Sequence, residues 1–251
     1  MWRWLYVFLG FSTATLKAAE HVEFEGGLYH LHRIDQTSLS KLQLIWLGEN
    51  GKPLGNFSAL RQHLAASNQK IVFATNAGIY EKGPKPCGLT VCGSVEQVPL
   101  NLRADEGNFY LKPNGVFFVD DKRGAGIMES AEFARSGIKP RLATQSGPLM
   151  MRKGVFHPAF QENSPNKRLR NAVGVTAKGE VIFAMSDRED RIKGRVTFHQ
   201  FSRFFKSLGC DDVLFLDGDL SDMLVKPDSN VPLIPNTFAA MFFVSEAISA
   251  P

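Results

Sequence analysis

Cysteine is scarce in this sequence, which has only Cys87, Cys92 and Cys210 among its 251 residues. Three cysteines are too few for a disulfide framework, and their spacing does not match a zinc-binding motif. None lies beside a histidine in a recognisable catalytic arrangement, so no cysteine nucleophile is predicted. Cys87 and Cys92 bracket a short segment and would close a small loop in an oxidising compartment, and the sequence leaves that pairing open.

Long hydrophobic runs are also missing. The apolar stretch Leu5 to Phe11 is far shorter than the roughly 20 residues of a membrane-spanning helix. It follows the basic Arg3 and precedes small residues, which is typical of a secretory signal. We therefore predict that residues 1–19 are a signal peptide, with the cleavage site left open, and that the protein is periplasmic or secreted. A retained N-terminal anchor is the alternative; after signal removal we expect no stable membrane span.

The sequence contains no Ser- or Gly-rich linker, no internal repeat and no long basic run. Residues 20–251 are therefore predicted to form one domain, because this length is enough for one buried core. The formal net charge of +4 is too small to indicate nucleic-acid binding, although it suits an anionic substrate. The histidines lack metal-ligand spacing except for His30 and His32, which share one face of a predicted strand. We expect that face to be exposed.

Short strands make up most of what is present. Two helices are also predicted: Ser58 would cap one around Leu60 and Leu64, and Thr197 precedes a stripe of phenylalanines that ends at Gly209. Together the elements predict an α+β fold, a single domain of strand-rich mixed or antiparallel sheets with a few helices. The predicted strands are Leu28–Ile34, Leu42–Leu47, Ile71–Thr75, Gly115–Val119, Leu142–Gln145, Ala172–Thr176, Val181–Met185, Val213–Leu216 and Met241–Val244.

Polar residues follow four of these apolar strands, each beside glycine or another turn-forming residue. A buried strand holds its end rigidly, and glycine lets the backbone approach a ligand, so strand ends can carry catalytic groups. Asn, Ser and Asp also begin turns routinely, and taken singly each position is better explained as a turn. The residues concerned are Asn76, Gln145 with Ser146, Ser186 with Asp187, and Asp217.

The order of the motifs at those ends is more specific. They resemble the motif series of the phosphodiester glycosidase family over roughly Ile71 to Val244. The resemblance implies an exported hydrolase that cleaves the glycosidic bond of a sugar-1-phosphodiester and releases the sugar and a phosphate monoester, without a cofactor. The motifs are Asn76-Ala77-Gly78-Ile79-Tyr80, Gly107-Asn108-Phe109-Tyr110 followed by Pro113-Asn114-Gly115-Val116-Phe117, Gln145-Ser146-Gly147-Pro148, Arg168 with Arg170-Asn171-Ala172-Val173-Gly174-Val175, and Leu214-Phe215-Leu216-Asp217-Gly218.

The sequence departs from the family pattern at one loop. Where the branch that includes the lysosomal uncovering enzyme has a further glycine-rich, serine-containing loop, this chain reads Asp219-Leu220-Ser221-Asp222. Ser221 is the candidate for the retained polar contact. The more acidic loop leaves the identity of the sugar open.

The chemistry of the substrate suggests roles for individual residues. Arginine has a planar fork of donors that matches phosphate oxygens, so Arg168 and Arg170 are candidates for binding the phosphodiester, with a solvated basic turn as the alternative. Asp217 is the first candidate for the catalytic carboxylate and Asp187 the second. One carboxylate can suffice here, because a phosphate monoester is already a stable leaving group.

The remaining candidates are polar groups for the substrate. Asn76 and Gln145 would bind sugar hydroxyls, and Ser146 a phosphate oxygen. The spacing of Asp217, Asp219 and Asp222 also permits a divalent cation bound by oxygen ligands, although the spacing is not that of an EF-hand. We predict no metal and keep the cation as the alternative.

Two other functions fit the same residues. One is a phosphodiesterase that cuts the P–O bond, and the other is a non-catalytic module that binds phosphate-bearing glycans. All three hypotheses share a small-molecule or glycan phosphodiester as partner. None of them involves nucleic acid.

Overall fold

The computed structural model of the protein describes residues 20–226 and 236–248, and the predicted signal peptide lies outside them. A seven-stranded sheet forms the centre of the fold, and all its pairings are antiparallel. In spatial order its strands are Glu20–Phe24 (β1), Gly27–Ile34 (β2), Val181–Ser186 (β15), Asn171–Thr176 (β14), Cys210–Asp217 (β16), Leu149–Arg152 (β12) and Val155–Phe156 (β13).

Three smaller antiparallel sheets surround it. A five-stranded sheet consists, in spatial order, of Gly124–Glu129 (β10), Gly115–Asp120 (β9), Leu142–Ser146 (β11), Thr90–Cys92 (β7) and Val95–Val98 (β8). A four-stranded sheet consists of Met223–Val225 (β17), Gln69–Asn76 (β4), Met241–Ala247 (β18) and Gln43–Ile45 (β3), and a hairpin of Tyr80–Glu81 (β5) and Lys85–Pro86 (β6) completes the set.

Phenylalanines join the three larger sheets in one core. Phe183 of the seven-stranded sheet lies 6.1 Å, ring centre to ring centre, from Phe117 of the five-stranded sheet and 5.1 Å from Phe242 of the four-stranded sheet. All three side chains are fully buried. Because burying such a side chain contributes roughly 1.5–3 kcal/mol, this junction fixes the sheets, and therefore their strand ends, relative to one another.

The helices pack outside the sheets. Phe57–Ala65 (α1) covers the four-stranded sheet, Ser130–Ser136 (α2) lies beside β9 and β10, and Phe198–Ser207 (α3) covers the seven-stranded sheet. Short 3₁₀ helices span Gln36–Lys41 and Asn108–Tyr110. No helix in the described parts of the chain is long and apolar enough to cross a membrane.

The α+β prediction is confirmed, and all nine predicted strands are present. Thr197, which precedes the predicted phenylalanine stripe, caps α3 by accepting a hydrogen bond of 3.0 Å from the Gln200 amide. The cap predicted for α1 was wrong, because Asn56 rather than Ser58 accepts the bond from the Ala59 amide. The prediction also missed α2, which ends at Gly137 with φ of 68°.

The expected exposed face at His30 and His32 was also wrong. His32 is 1% exposed and stacks on Phe73, with 4.3 Å between the ring centres. Burial, with a smaller effect from the charge of Lys226, lowers the pKa of His32 to about 4. This imidazole is therefore a neutral part of the core.

Candidate active site

The polar strand ends of different sheets meet in one place. In the seven-stranded sheet, Asn171 at the start of β14 is the register partner of Asp217 at the end of β16 and of Met185 near the end of β15. Asn76 at the end of β4 accepts a hydrogen bond of 2.9 Å from Asn171. Ser146, which ends β11, donates to the carbonyl of Leu216 at 3.1 Å.

Asn76 and Asn171 lie at the centre of a buried hydrogen-bond network. The Asn76 Nδ2 donates to Ser221 Oγ at 3.2 Å, and its Oδ1 also accepts from the Asp222 amide at 3.2 Å. Asn171 donates in addition to Thr75 Oγ1 at 2.9 Å. This network ties the loop after Asp217 to two sheets, so Asn76 and Ser221 have their polar groups engaged within the protein.

Gln145 and Ser146 are engaged in the same way. The Gln145 Oε1 accepts from the amides of Leu89 and Asn101, at 3.1 and 2.9 Å. Its Nε2 donates to the Asn101 carbonyl at 2.7 Å and to Ser130 Oγ at 3.0 Å. The Ser146 hydroxyl accepts from the Ile79 amide as well as donating to Leu216. The predicted contacts of these two side chains with substrate therefore compete with protein contacts already formed.

Asp187 is paired with His30 on the neighbouring strand β2. One carboxylate oxygen contacts the His30 Nε2, and the other accepts from the Asp190 amide at 2.6 Å. Burial acts to raise the pKa of Asp187, but the bonds from Asp190 and His30 outweigh it, and the pKa is lowered overall. This carboxylate is ionised, and both of its oxygens have partners.

Asp217 is in a different state. Its Oδ1 accepts from the Gly218 amide at 2.7 Å, and no cation of the described residues pairs with it. Burial raises its pKa, the Gly218 bond opposes this and the charge of Asp219 adds to it. The pKa of Tyr80 is raised mainly by burial and further by the charge of Asp217, so the Asp217 carboxylate lies near the β5–β6 hairpin. Asp217 is a desolvated carboxylate without a counter-ion.

Arg170 is a desolvated cation at the same sheet end. The side chain is 2% exposed, and its guanidinium lies 3.7 Å from the centre of the Phe198 ring. It donates to the carbonyls of Asn166 at 3.1 Å and Val196 at 3.4 Å, but no carboxylate in the described parts of the chain pairs with it. Burial lowers its pKa to about 10, which Asp219 opposes. A buried arginine without an anionic partner has unused capacity for an anion.

A cavity of about 210 Å³ opens beside Arg170. Asn166 and Phe198, which both contact the guanidinium, also line the cavity, together with Phe160, whose ring stacks on Phe198 with 4.7 Å between centres. This volume corresponds to that of about seven water molecules at roughly 30 Å³ each. It can hold a group attached to an anion bound at Arg170.

The other predicted cation, Arg168, lies at the surface. It pairs with Asp219 at 3.7 Å, and both side chains are exposed. Exposed pairs of this kind contribute roughly 0–1 kcal/mol. Arg168 is therefore free to exchange Asp219 for another anion.

The sequence analysis did not place Arg188 in the site, and it named Asp222 as a ligand of the alternative cation. The Arg188 Nη2 donates to the Ser221 carbonyl. Asp222 is 6% exposed, and its Oδ2 has no partner among the described residues. Burial raises the pKa of Asp222, while the Met223 amide and Arg188 lower it. Arg188 could have been found from its position, because it directly follows Ser186 and Asp187 at the end of β15.

The alternative of a metal held by Asp217, Asp219 and Asp222 lacks the required geometry. Within residues 20–226 and 236–248 no group of three or more His, Cys, Asp or Glu side chains is placed to hold a metal ion. The Asp219 carboxylate instead turns to Arg168 at the surface. The three cysteines are free thiols.

Comparison with known proteins shows the family of the chain. The family model described as phosphodiester glycosidase matches residues 69–244, a span that includes every one of these polar residues except His30. The chain belongs to the phosphodiester glycosidase family. Within the family it is 32% identical to the uncharacterised protein YigE of Escherichia coli K12 over 187 residues, which are 74% of this chain and 70% of YigE.

Solved structures share the fold at low identity. The catalytic domain of zebrafish N-acetylglucosamine-1-phosphodiester alpha-N-acetylglucosaminidase, auto-inhibited by its pro-peptide, superposes with a TM-score of 0.61 at 14% identity, covering 94% of this chain and 85% of that one. A candidate exported protein of Burkholderia pseudomallei K96243 gives a TM-score of 0.51 at 13% identity, with coverages of 86% and 73%. The phosphodiester glycosidase fold therefore extends over the described chain.

Proposed function

We propose that this protein is an exported hydrolase that cleaves the bond between the anomeric carbon of a sugar and the phosphate oxygen of a sugar-1-phosphodiester. Family membership supports the reaction class. The observation that carries the proposal is that Asp217 and Arg170, at the ends of neighbouring strands, are both desolvated, and that neither forms an ion pair with another described residue. In a sugar-1-phosphodiester, the phosphate provides an anion for Arg170, and the anomeric carbon provides an electrophile for Asp217.

Arg170 binds the phosphate in this proposal. A guanidinium fork and two phosphate oxygens form charge-assisted bonds, which are stronger in a site that excludes water. Phe198 below the guanidinium and the carbonyl of Asn166 hold the fork in place. Arg168 at the rim adds positive charge when it releases Asp219. Binding also stabilises the second negative charge that the phosphate gains as it leaves.

Asp217 acts at the sugar carbon. Cleavage of a glycosidic bond passes through a transition state with positive charge on the sugar ring, and an ionised carboxylate without a counter-ion stabilises it. The same carboxylate takes a proton from the attacking water, or attacks the carbon itself and is then released by water. The water oxygen ends on the sugar, the electron pair of the broken bond goes to the phosphate monoester, and the raised pKa of Asp217 makes it a stronger base than a free aspartate.

The cavity beside Arg170 takes the alcohol half of the phosphodiester. Its lining by Phe160, Phe198 and Asn166 offers an aromatic surface and an amide next to the phosphate. Asp187 is held by His30 and serves as a second carboxylate only after that pair opens. We therefore assign it a positioning role and leave the chemistry with Asp217.

Export is part of the proposal. Its support is the signal-like N-terminal segment of the sequence, residues 1–19, and the structural similarity to a candidate exported protein. N-terminal sequencing of the protein from cell fractions tests it. Export would be contradicted if all of the protein were found in the soluble cytoplasmic fraction with residues 1–19 still attached.

Hydrolysis in isotopically labelled water tests the reaction. The purified protein is incubated with a panel of sugar-1-phosphodiesters, and the products are analysed by mass spectrometry. We expect the label in the released sugar, because the C–O bond is the one that breaks. Label in the phosphate would instead identify a phosphodiesterase, and tight binding without turnover would identify a phosphoglycan-binding module.

A further inference from the structure

A second groove lies near Asp217, and the proposed mechanism leaves it unused. Its volume is about 420 Å³, and Trp46, Lys85, Cys87, Asn101 and Arg103 are among its lining residues. Burial raises the pKa of the Cys87 thiol to about 11; Glu81 and Asp217 add to this effect and Arg103 opposes it. Cys87, which lines the groove, thus lies within electrostatic reach of both Asp217 and Arg103.

A chain of hydrogen bonds positions Arg103 in this groove. Gln145, buried in β11, binds both the amide and the carbonyl of Asn101, at 2.9 and 2.7 Å. The Asn101 Nδ2 donates to the Cys87 carbonyl at 2.8 Å. Its Oδ1 accepts from the Arg103 amide at 3.1 Å and from the Arg103 Nε at 3.4 Å. A rigid core residue therefore anchors an exposed guanidinium through one intermediate.

Arg103 has no anionic partner among the described residues. No carboxylate within residues 20–226 and 236–248 forms an ion pair with it. The other charges of the groove, Glu81 and Lys85, face each other across the β5–β6 hairpin and offset one another. The guanidinium is left as the unmatched charge. Trp46, whose Nε1 donates to the Pro84 carbonyl at 2.9 Å, adds an aromatic side chain at a fixed position.

We infer that Arg103 binds a second anionic group on the sugar half of the substrate, so that the sugar released by this enzyme is acidic. The inference rests on the proposed function, which decides which half of the substrate faces Arg103. If the alcohol half occupies the cavity at Arg170, the sugar lies on the Cys87 side of Asp217. A carboxylate and a phosphate are equally good partners for a guanidinium fork. The pyranose ring would lie against Trp46.

Calorimetric binding of sugar monophosphates tests this without turnover. The probes are glucose 1-phosphate, glucuronic acid 1-phosphate and glucose 1,6-bisphosphate, which carry at C6 a neutral group, a carboxylate and a phosphate. We expect one or both acidic probes to bind at least about fivefold more tightly than glucose 1-phosphate at physiological salt. The tighter of the two acidic probes identifies the anionic group.

Two variants give the comparison. Arg103→Gln should bring the acidic probes to within about twofold of glucose 1-phosphate, whereas Arg135→Gln, an exposed arginine on α2 that does not line the groove, should keep the difference. Equal or undetectable binding of all three probes, or a preference that survives in Arg103→Gln, would overturn the inference. The proposed function fails separately, if no sugar-1-phosphodiester is hydrolysed while the binding difference persists.

Discussion

The polar strand ends divide into two groups that differ in how their hydrogen bonds and charges are satisfied. Gln145 and Asp187 have both ends of their side-chain polar groups engaged by the protein. Arg170 is buried and Asp217 is half-buried, yet neither forms an ion pair with another residue of the described chain. Uncompensated buried charge lowers stability, so a fold that retains it at one point indicates a ligand there. The satisfied group supports the site, and the unsatisfied group performs its chemistry.

Asp217→Asn should have the largest effect. The amide keeps the size of the side chain and can accept from the Gly218 amide, but it cannot act as a base, a nucleophile or a stabilising negative charge. We expect kcat to fall at least about 100-fold, with the melting temperature unchanged or raised because a buried charge is gone. The matched control is Asp219→Asn, which removes an exposed ion pair with Arg168 and a nearby charge but leaves the Asp217 carboxylate in place. If Asp219→Asn lost more activity than Asp217→Asn, the assignment of the catalytic carboxylate would be wrong.

Gln145→Leu should lower stability, because it removes the hydrogen bonds of a residue in the satisfied group. The change leaves the amides of Leu89 and Asn101 without an acceptor, each at a cost of about 1–3 kcal/mol, so we expect the free energy of unfolding to fall by at least about 2 kcal/mol. Denaturant titration measures it. The control is Gln97→Leu, because the Gln97 Oε1 has no partner among the described residues and its loss should be nearly neutral. Equal losses in both variants would show that the hydrogen bonds of Gln145 contribute nothing special.

Arg170→Lys should reduce kcat/KM roughly tenfold to 100-fold on the best phosphodiester, because charge-assisted bonds of about 1.5–3 kcal/mol depend on the fork that lysine lacks. Arg152→Lys is the control, since Arg152 already pairs with Asp212 at 2.9 Å and Glu132 at 2.8 Å. That variant should lower stability and leave kcat/KM nearly unchanged. Full kcat/KM in Arg170→Lys would remove Arg170 from the phosphate site.

The strands were predictable from the sequence because apolar residues alternate with polar ones, or follow one another, over a few neighbouring positions. The nine predicted strands were all found, and the phenylalanine stripe of α3 is buried as expected, with Phe201, Phe204 and Phe205 at 0% exposure. A short helix such as α2 escaped because seven residues with a glycine cap give little periodicity.

The partners of the polar residues could not be predicted in the same way. His30 and Asp187 are 157 positions apart, and Gln145 and Asn101 are 44 apart. No local pattern connects residues at such separations, because their contact is set by the packing of whole sheets. The sequence therefore indicated which strand ends carry polar groups, and the resemblance indicated a shared site, but neither separated the satisfied residues from the unsatisfied ones.

Asp187→Asn and Asp222→Asn should show the smallest effects, and their pH dependence should have opposite sign. The pKa of Asp187 is lowered in the folded protein, so its contribution to stability is present above the unfolded value of about 3.9 and is lost only as the pH falls through the lowered pKa. The pKa of Asp222 is raised, mainly by burial, so its ionised form costs stability above that pKa, and the cost disappears as the pH falls towards 3.9. We expect Asp187→Asn to be destabilised by about 1 kcal/mol while Asp187 is ionised, at pH values above about 4.5. Asp222→Asn should be more stable than the wild type at about pH 8, with a difference that shrinks on acidification. Urea unfolding of the three proteins across this range measures both slopes, and a constant difference for Asp222→Asn would show that its unpartnered Oδ2 carries no uncompensated charge.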